Sequence, residues 1–224
     1  MKSSRSFFVL LLSAYALLSS SCAKNYYQLN LNSANYEKGY AQNEVDNEPL
    51  QFSYKYGVLS DFGNEDYASK ERSKNIDLVA VELTNVSDQP LVLGTHFHIY
   101  QSGQPVNFLS KQDVYKKLKQ NTPLYFLYLG LSGLNYQETE VEIGTGVSRT
   151  TRFIPVGLIL GPALAIINVS KSDKSNKIFK ADLDRYYLHK NLIEPGETVI
   201  GLIGLRQYGG RNLTISYDES MIDF

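Results

Sequence analysis

The first 22 residues constrain this chain more than any other stretch. A basic start with Lys2 and Arg5 is followed by an apolar run over residues 7–18 and by three serines that lead to Cys22. Basic, apolar and small residues in this order are typical of a secretory signal peptide, and the apolar run is shorter than the roughly 20 residues of a membrane-spanning helix. Cys22 is the only cysteine. The mature fold is therefore expected to lack an internal disulfide and to rest on an apolar core.

The residues before Cys22 resemble a bacterial lipobox, in which diacylglycerol is added to the cysteine thiol and cleavage makes that cysteine the N-terminus. The resemblance implies a signal peptide over residues 1–21 and lipidation, with fatty acids such as palmitate, at Cys22. A strict lipobox has an aliphatic residue three positions before the cysteine, where this chain has Ser19. This relaxed pattern is similar to that of lipoproteins from Bacteroidota. The alternative is an ordinary signal peptide with an incidental cysteine.

The residues after Cys22 predict where the anchored protein resides. Ala23, in place of aspartate, resembles the pattern of lipoproteins sent to the outer membrane, and no acidic cluster follows that would favour display on the cell surface. The outer membrane, with the protein facing the periplasm, is therefore the expected location. Residues 22–48 are rich in asparagine and tyrosine and are predicted to form a tether for the acylated cysteine.

The charge balance argues against a nucleic-acid partner. Removing Lys2 and Arg5 with the signal from 22 basic and 23 acidic side chains leaves 20 against 23, a net charge of about −3. A nucleic-acid surface needs a basic excess. The membrane, through the lipid, and a protein of the cell envelope are the partners that remain.

The body of the protein, residues 49–224, is predicted to be mainly β. Alternating or continuous apolar residues bounded by turn residues predict strands at 50–59, 75–86, 91–101, 198–207 and 213–217, with a charged loop at 61–74 and a hairpin turn at 209–212. Several short strands of this kind indicate a β-sandwich. Residues 81–93 and 193–201 also resemble telokin-like, immunoglobulin-fold domains of bacterial lipoproteins. That resemblance implies an immunoglobulin-like sandwich with no shared catalytic machinery.

An apolar insertion, predicted to be α-helical, interrupts this pattern at about residues 106–192. It comprises a helix beginning at Ser110, apolar segments at 124–134 and 153–169 flanking a polar stretch with three glutamates, and an amphipathic helix at 173–189. Gly157 and Gly161 have the spacing that allows close helix approach. The first apolar segment would be only about 20 Å long as a helix, too short to span a membrane.

Two roles are open for the insertion. Its apolar residues are either ordinary core, or they contact the membrane or a partner protein. The candidate contact residues are Leu124, Phe126, Leu127, Leu129, Gly157, Leu158, Ile159, Gly161 and Leu164.

The sequence offers little chemistry. His96 and His98 share one face of a predicted strand and are weak metal-ligand candidates, because no third ligand is placed nearby. Asp182 and Asp184 are predicted to lie on a solvated helix face. No nucleophile elbow, phosphate loop or dinucleotide motif is present, so neither a cofactor nor enzymatic activity is expected. The expected function is that of a lipid-anchored envelope protein with a binding or structural role; the alternatives are a carrier of a lipid or other hydrophobic ligand and, more remotely, a metal-dependent enzyme.

Overall fold

The computed structural model describes residues 22–32, 41–43, 49–143, 147–188, 192–207 and 212–217. The predicted signal peptide and the glycines of the predicted 209–212 turn lie outside these ranges. So does His189, one possible further metal ligand.

Helix and strand contribute almost equally, at 39% and 33%, so the fold is mixed α/β and the prediction of a mainly β protein is wrong. The helices are α1 Val58–Asp61, α2 Glu65–Lys74, α3 Lys111–Leu118 and α4 Gly157–Tyr186, with a 3-10 helix at Thr122–Gly133. The strands are β1 Ala41–Asn43, β2 Leu50–Lys55, β3 Ile76–Asn85, β4 Leu91–Val92, β5 Phe97–Gln101, β6 Gln104–Pro105, β7 Tyr136–Ile143, β8 Val147–Ile154, β9 Leu192–Ile193, β10 Thr198–Arg206 and β11 Leu213–Tyr217.

The described strands form four antiparallel sheets, in the orders β1-β2-β3-β10, β11-β5-β6, β4-β9 and β7-β8. The chain divides into two compact units. Unit 1 comprises Met1–Asn25 and Gln120–Ser175, and unit 2 comprises Tyr26–Lys119 and Asn176–Phe224. The predicted insertion at 106–192 therefore contains most of unit 1 together with segments that pack within unit 2.

Unit 2 is built around β3, which is buried on both faces, as its nearly continuous apolar sequence indicates. Ile76, Leu78 and Ala80 belong to a core that also contains buried residues of α1, α2, α3 and the end of α4. Val79 and Val81 alternate with them and belong to a second core, shared with buried residues of β5, β10 and β11. Neighbouring residues of a strand point to opposite faces, so β3 contributes to both cores.

The charged segment after Asp61 is a helix, so the predicted loop at 61–74 is wrong. Asn64 precedes α2, the acidic residues Glu65 and Asp66 lie in its first turn, and Asn75 ends it with a φ of 51°. This arrangement of charges complements the helix dipole. Tyr67, Ala68 and Glu71 are buried at helical spacing. Only two of these residues are apolar, so the buried face of the helix could not be recognised in a sequence with so many charges.

Turns shorten or divide two of the predicted strands. The strand predicted over 50–59 ends at Lys55, and Gly57, with a φ of 77°, leads into α1. Gly94, with a φ of 86°, divides the strand predicted at 91–101 into β4 and β5. The predicted β10–β11 hairpin is also wrong, since β10 pairs with β3 and β11 pairs with β5.

Other predictions for the body are confirmed. Ser110 caps α3 through its side chain, which accepts a hydrogen bond from the Asp113 backbone N–H. Gly201 and Gly204 lie in strand β10, and glycine within a strand indicates a bulge or a close backbone approach. A Cβ on Gly201 would lie 3.0 Å from the Tyr186 carbonyl oxygen. The two helical segments predicted at the end of the insertion are one continuous helix, α4, and Pro162 lies inside it.

Candidate interaction surface

Unit 1 contains an antiparallel pair of helical segments, the 3-10 helix and residues 157–175 of α4. At one end, the Gly157 N–H donates to the Leu134 carbonyl at 2.9 Å. At the other end, the Thr122 and Ser172 hydroxyls lie 2.8 Å apart. The stretch of α4 between these points is about 22 Å long, and the 3-10 helix is about 24 Å long. The segments therefore lie side by side along their whole length.

Small residues of α4 form the contact within this pair. A Cβ on Gly161 would lie 2.9 Å from the Tyr128 carbonyl oxygen, and a Cβ on Gly157 would collide with the backbone of Leu131. Gly157 and Gly161 thus allow a close approach between α4 and the 3-10 helix within unit 1, whereas their spacing predicted a membrane or partner contact. Residues three apart share one face of a 3-10 helix; here Tyr128 is buried and Tyr125 and Leu131 are partly buried.

The outward faces of both segments are apolar and exposed. Leu127 of the 3-10 helix is 74% exposed, and Ile159 of α4 is 75% exposed. The other exposed apolar side chains of the pair are Leu124, Phe126, Leu129, Leu158, Leu160, Ile166 and Ile167, and Tyr136, Phe153 and Ile154 at the base of the β7–β8 hairpin are also exposed. The interpretation of both apolar segments as ordinary core therefore fails for most of their large side chains.

The predicted contact residues separate into three groups by burial. Leu124, Phe126, Leu127, Leu129, Leu158 and Ile159 are exposed, Leu164 is partly buried, and Gly157 and Gly161 are buried within the pair. The two glycines thus hold the pair together and are not available to a membrane or a partner. We call the exposed apolar residues of the 3-10 helix face A; they are Leu124, Phe126, Leu127 and Leu129. We call those of α4 face B; they are Leu158, Ile159, Leu160, Ile166 and Ile167.

The residues that follow Cys22 are fixed against this pair. The Ala23 N–H donates to Oδ1 of Asn168 at 2.7 Å, and Ala23 is 1% exposed. The Lys24 N–H donates to Oε1 of Gln120 at 3.1 Å, while Nε2 of Gln120 and the Ser175 hydroxyl both donate to the Lys24 carbonyl. Cys22 Sγ lies 3.9 Å from the Tyr128 hydroxyl oxygen.

Residues 26–32 are fixed within unit 2. Tyr26, Leu29 and Leu31 are buried in its core. The Tyr27 N–H donates to Oδ1 of Asn64 at 2.7 Å, and Nδ2 of Asn64 donates back to the Tyr27 carbonyl at 2.8 Å. The Leu29 N–H donates to Oδ2 of Asp182 at 2.8 Å. The free tether predicted for residues 22–48 is thus wrong for residues 22–32, because buried side chains satisfy their backbone groups.

Asp182 and Asp184 have different environments. Asp182 is 1% exposed, so its predicted place on a solvated face is wrong. Burial raises the pKa of this carboxyl, and the hydrogen bond from Leu29 partly opposes the effect. Burial and the nearby Asp182 likewise raise the pKa of Tyr26. Asp184 is exposed, as predicted, and lies 2.7 Å from Nζ of Lys111.

Two further groups of unit 2 have pKa values shifted by burial. The pKa of Lys70 is lowered to about 8, mainly by burial, and its ammonium donates to the Leu118 and Lys119 carbonyls at the end of α3. The pKa of Tyr187 is raised to about 12 by burial. Its hydroxyl donates to the Leu109 carbonyl and accepts from the Gly204 N–H. Both groups satisfy backbone atoms, which is a structural role.

His96 and His98, the metal-ligand candidates, lie in the turn before β5 and on β5. Nδ1 of His96 accepts a hydrogen bond from the Val92 N–H at 3.1 Å across the turn between β4 and β5. His98 lies on β5, between the buried Phe97 and Ile99. In the described part of the chain, no three histidine, cysteine, aspartate or glutamate side chains are grouped so that they could hold a metal ion.

None of the helices in the described ranges is long and apolar enough to cross a membrane. No protein-family model, curated protein or solved structure matches this chain.

Sequence reasoning missed Asn168, Gln120 and Ser175, the side chains that bind residues 23 and 24. One sequence signal pointed to Asn168: it is an amide directly after the apolar run 163–167. The structure shows that this amide is buried. A buried amide requires hydrogen-bond partners. The sequence alone could not show that one of these partners is the backbone next to Cys22.

Proposed function

We propose that this protein is a lipid-anchored structural component of the bacterial cell envelope, acting through protein contacts at a membrane surface and not through catalysis. The observation that carries the proposal is the position of the lipidation candidate. Cys22 precedes a buried, hydrogen-bonded backbone segment in the same unit that exposes faces A and B.

This arrangement determines how far unit 1 can lie from the lipid anchor. A long flexible linker would let the body of the protein stand away from the lipid. Because residues 23 and 24 are bound to Asn168, Gln120 and Ser175, acyl chains on Cys22 would instead hold unit 1 close to the bilayer. Two or more acyl chains are needed for stable anchoring, which matches the diacylglycerol chemistry that the sequence implies for Cys22.

The experiment compares the full-length precursor with its Cys22→Ser variant in a bacterium that processes lipoproteins, fed with an alkyne-bearing palmitate analogue. We expect the wild-type protein to incorporate the label and to fractionate with membranes. The variant should do neither. Ser21→Ala is the matched control, since it keeps a small residue before the cysteine and should retain the label. Wild-type protein that is cleaved but unlabelled would overturn the proposal in favour of an ordinary signal peptide.

The outer membrane, with the protein facing the periplasm, is the proposed location, supported by the alanine after Cys22. Separating inner and outer membranes on a density gradient tests the membrane assignment. Resistance to protease in intact cells, followed by digestion after the outer membrane is opened, tests the orientation. Labelled protein in the inner-membrane fraction, or cleavage in intact cells, would contradict this location.

An immunoglobulin-like arrangement of unit 2 also remains a proposal. It is supported by the second core, where buried residues of β2, β3 and β10 lie together with those of β5 and β11. An experimental structure showing these sheets packed face to face with Greek-key connections would establish it, whereas another connectivity would refute it.

A further inference from the structure

We propose that unit 1 is a head-to-tail interface between copies of this chain, in which face A and one edge of the β7–β8 hairpin of one copy contact face B and the other edge of the next. This inference rests on the proposed function, because anchors in one leaflet bring the copies together in one plane.

The first observation is the hairpin. Strands β7 and β8 pair over eight residue positions, from Tyr136 with Ile154 to Ile143 with Val147. Among the described residues, neither strand pairs with a third. An isolated two-stranded hairpin is marginal in water, and its outer edges present unpaired backbone donors and acceptors. Both β7 and β8 therefore have an edge that another strand can extend.

The polarity of these edges suits an identical copy. The two strands of the hairpin are antiparallel. If identical hairpins stand side by side in the same orientation, β8 of one is antiparallel to β7 of the next. A row of copies therefore continues the pairing that already exists within each hairpin, and no strand has to reverse its direction.

The second observation is that faces A and B point away from each other. Within the pair, Gly161, Ala165 and Asn168 of α4 are buried, and face B occupies the remaining circumference of the helix. Face A lies on the far side of the 3-10 helix, because Tyr128 points into the pair. A flat bilayer surface, or one two-fold contact, covers only one of two opposed faces. A head-to-tail contact uses a different patch on each side of the protomer and covers both.

Lipid is a poorer occupant than a second copy. Insertion of the pair into hydrocarbon, hairpin end first, would carry the β7–β8 hairpin deeper than the pair itself. The hairpin sequence includes three glutamates, at 138, 140 and 142, and two arginines, at 149 and 152. Charged residues are strongly disfavoured at the centre of a bilayer. No described helix is suited to span the bilayer.

The anchor restricts the assembly that can form. Copies held by Cys22 in one leaflet share a direction relative to the membrane, so successive copies are related by rotation about the membrane normal. Head-to-tail contacts under that restriction produce a closed ring or a row along the membrane. Without the anchor, the copies do not have to share one direction relative to a membrane, so the contact is not restricted to a ring or a row along it.

The test uses the full lipidated chain purified in mild detergent, with its protein mass measured by sedimentation or light scattering. We expect wild-type protein to have a mass of several chains. Leu127→Glu, which places a charge on face A, and Ile159→Glu, which places one on face B, should each reduce the mass to that of one chain. Val86→Glu, at an exposed apolar residue of unit 2, is the matched control and should leave the assembly intact.

Mixing the two variants distinguishes a head-to-tail contact from a two-fold one. The Leu127→Glu copy keeps a functional face B, and the Ile159→Glu copy keeps a functional face A. A head-to-tail interface therefore predicts a one-to-one dimer in the mixture and nothing larger. A two-fold contact through face A predicts that Ile159→Glu alone forms dimers. Circular dichroism of each variant checks that the fold is kept.

Three results would overturn this inference: a monomeric wild-type chain, a mixture that stays monomeric, or assembly unaffected by both substitutions. A monomer that binds protein-free vesicles only when faces A and B are apolar would assign both faces to lipid. Failure of the proposed function has a different signature, because palmitate labelling of Cys22 would be absent whether or not the chains assemble.

Discussion

The backbone N–H of Ala23 donates a hydrogen bond to Oδ1 of Asn168, a residue 145 positions further along the chain, at 2.7 Å. Nδ2 of Asn168 donates to the Leu164 carbonyl at 2.8 Å, which fixes the orientation of the amide. Asn168 thus uses both polar atoms of its side chain, one on α4 and one on the segment after Cys22. The lipidation candidate is therefore attached to a helix and is not at the end of a free arm.

Replacing Asn168 with alanine should release the segment that follows Cys22. The substitution leaves the buried Ala23 N–H without an acceptor, at a cost of about 1–3 kcal/mol for a buried donor. We expect hydrogen exchange at the Ala23 amide to accelerate by one to two orders of magnitude, and unit 1 to become more sensitive to protease near residue 23.

Asn107→Ala is the matched control for this experiment, since Asn107 is an exposed asparagine of unit 2. It should leave the exchange rate at Ala23 unchanged. If Asn168→Ala also leaves that rate unchanged, residues 22–25 are not bound to α4 in solution, and the proposal that the anchor holds unit 1 close to the bilayer fails.

Substitution of Gly161 tests the packing of the helical pair. A Cβ at this position would lie 2.9 Å from the Tyr128 carbonyl oxygen and 2.7 Å from the Ser132 hydroxyl oxygen. Alanine normally stabilises a helix relative to glycine by about 1 kcal/mol, but overpacking against backbone costs about 1–3 kcal/mol. We therefore expect Gly161→Ala to destabilise unit 1. Pulse proteolysis should show that unit 1 unfolds more readily in this variant than in the wild type.

Gly130→Ala separates this steric effect from a general effect of removing glycine. Gly130 lies on the 3-10 helix of the same unit, and a Cβ there would have no neighbour within 4 Å. It should leave the proteolysis profile unchanged. Equal effects of the two substitutions would show that the close contact at Gly161 does not exist in solution.

The elements that the sequence predicted well have strong local signals. Strand β3 and its burial on both faces follow from the apolar run around Val79, and the start of α3 follows from the capping role of Ser110. The 3-10 helix at Thr122–Gly133 covers most of the apolar segment predicted at 124–134, and Pro123 lies at its start. Each of these depends on residues within one or two turns, which is the range over which sequence patterns carry structural information.

The features that escaped prediction depend on distant partners. Helix α2 lacks an obvious apolar stripe because its buried face contains Glu71, whose carboxylate accepts the Leu78 N–H at 2.7 Å. Asp182 appeared solvated because its partner is the Leu29 backbone, 153 residues away. Faces A and B were identified as apolar, but their exposure could not be predicted, since apolar runs of this length occur both in cores and at interfaces.

Lys70 should titrate at lower pH than an ordinary lysine. Its pKa is lowered to about 8 mainly by burial, while Asp66 opposes this shift and Lys74 adds to it. Between this value and the unfolded value of 10.5, the unfolded chain binds more protons, so stability relative to Lys70→Met should rise as the pH rises through this window.

NMR of the side-chain carbon atoms of Lys70 measures its titration. Substitutions of two neighbouring residues should shift its pKa in opposite directions. Asp66→Asn should lower the pKa of Lys70 further, and Lys74→Gln should raise it. A midpoint near 10.5 in wild-type protein would show that the ammonium is solvated and does not bind the carbonyls at the end of α3.

The last prediction concerns Asp182, whose raised pKa gives its contribution to stability a definite sign. The folded state holds a proton on this carboxyl at pH values where the unfolded chain, with a pKa near 3.8, has lost it. Stability must therefore fall as the pH rises from about 3.8 to the folded-state pKa, and stay constant above it. Asp182→Asn removes this dependence and keeps an acceptor for the Leu29 N–H.

Urea unfolding of the wild type and of Asp182→Asn at a series of pH values measures the effect. The stability advantage of the asparagine variant should be smallest near pH 4 and should increase with pH to a plateau. Asp182→Leu, which has no acceptor for the Leu29 N–H, should be less stable than Asp182→Asn by about 1–3 kcal/mol at every pH. An advantage that decreases with pH would mean that the fold favours the ionised carboxylate, contrary to the effect of its burial.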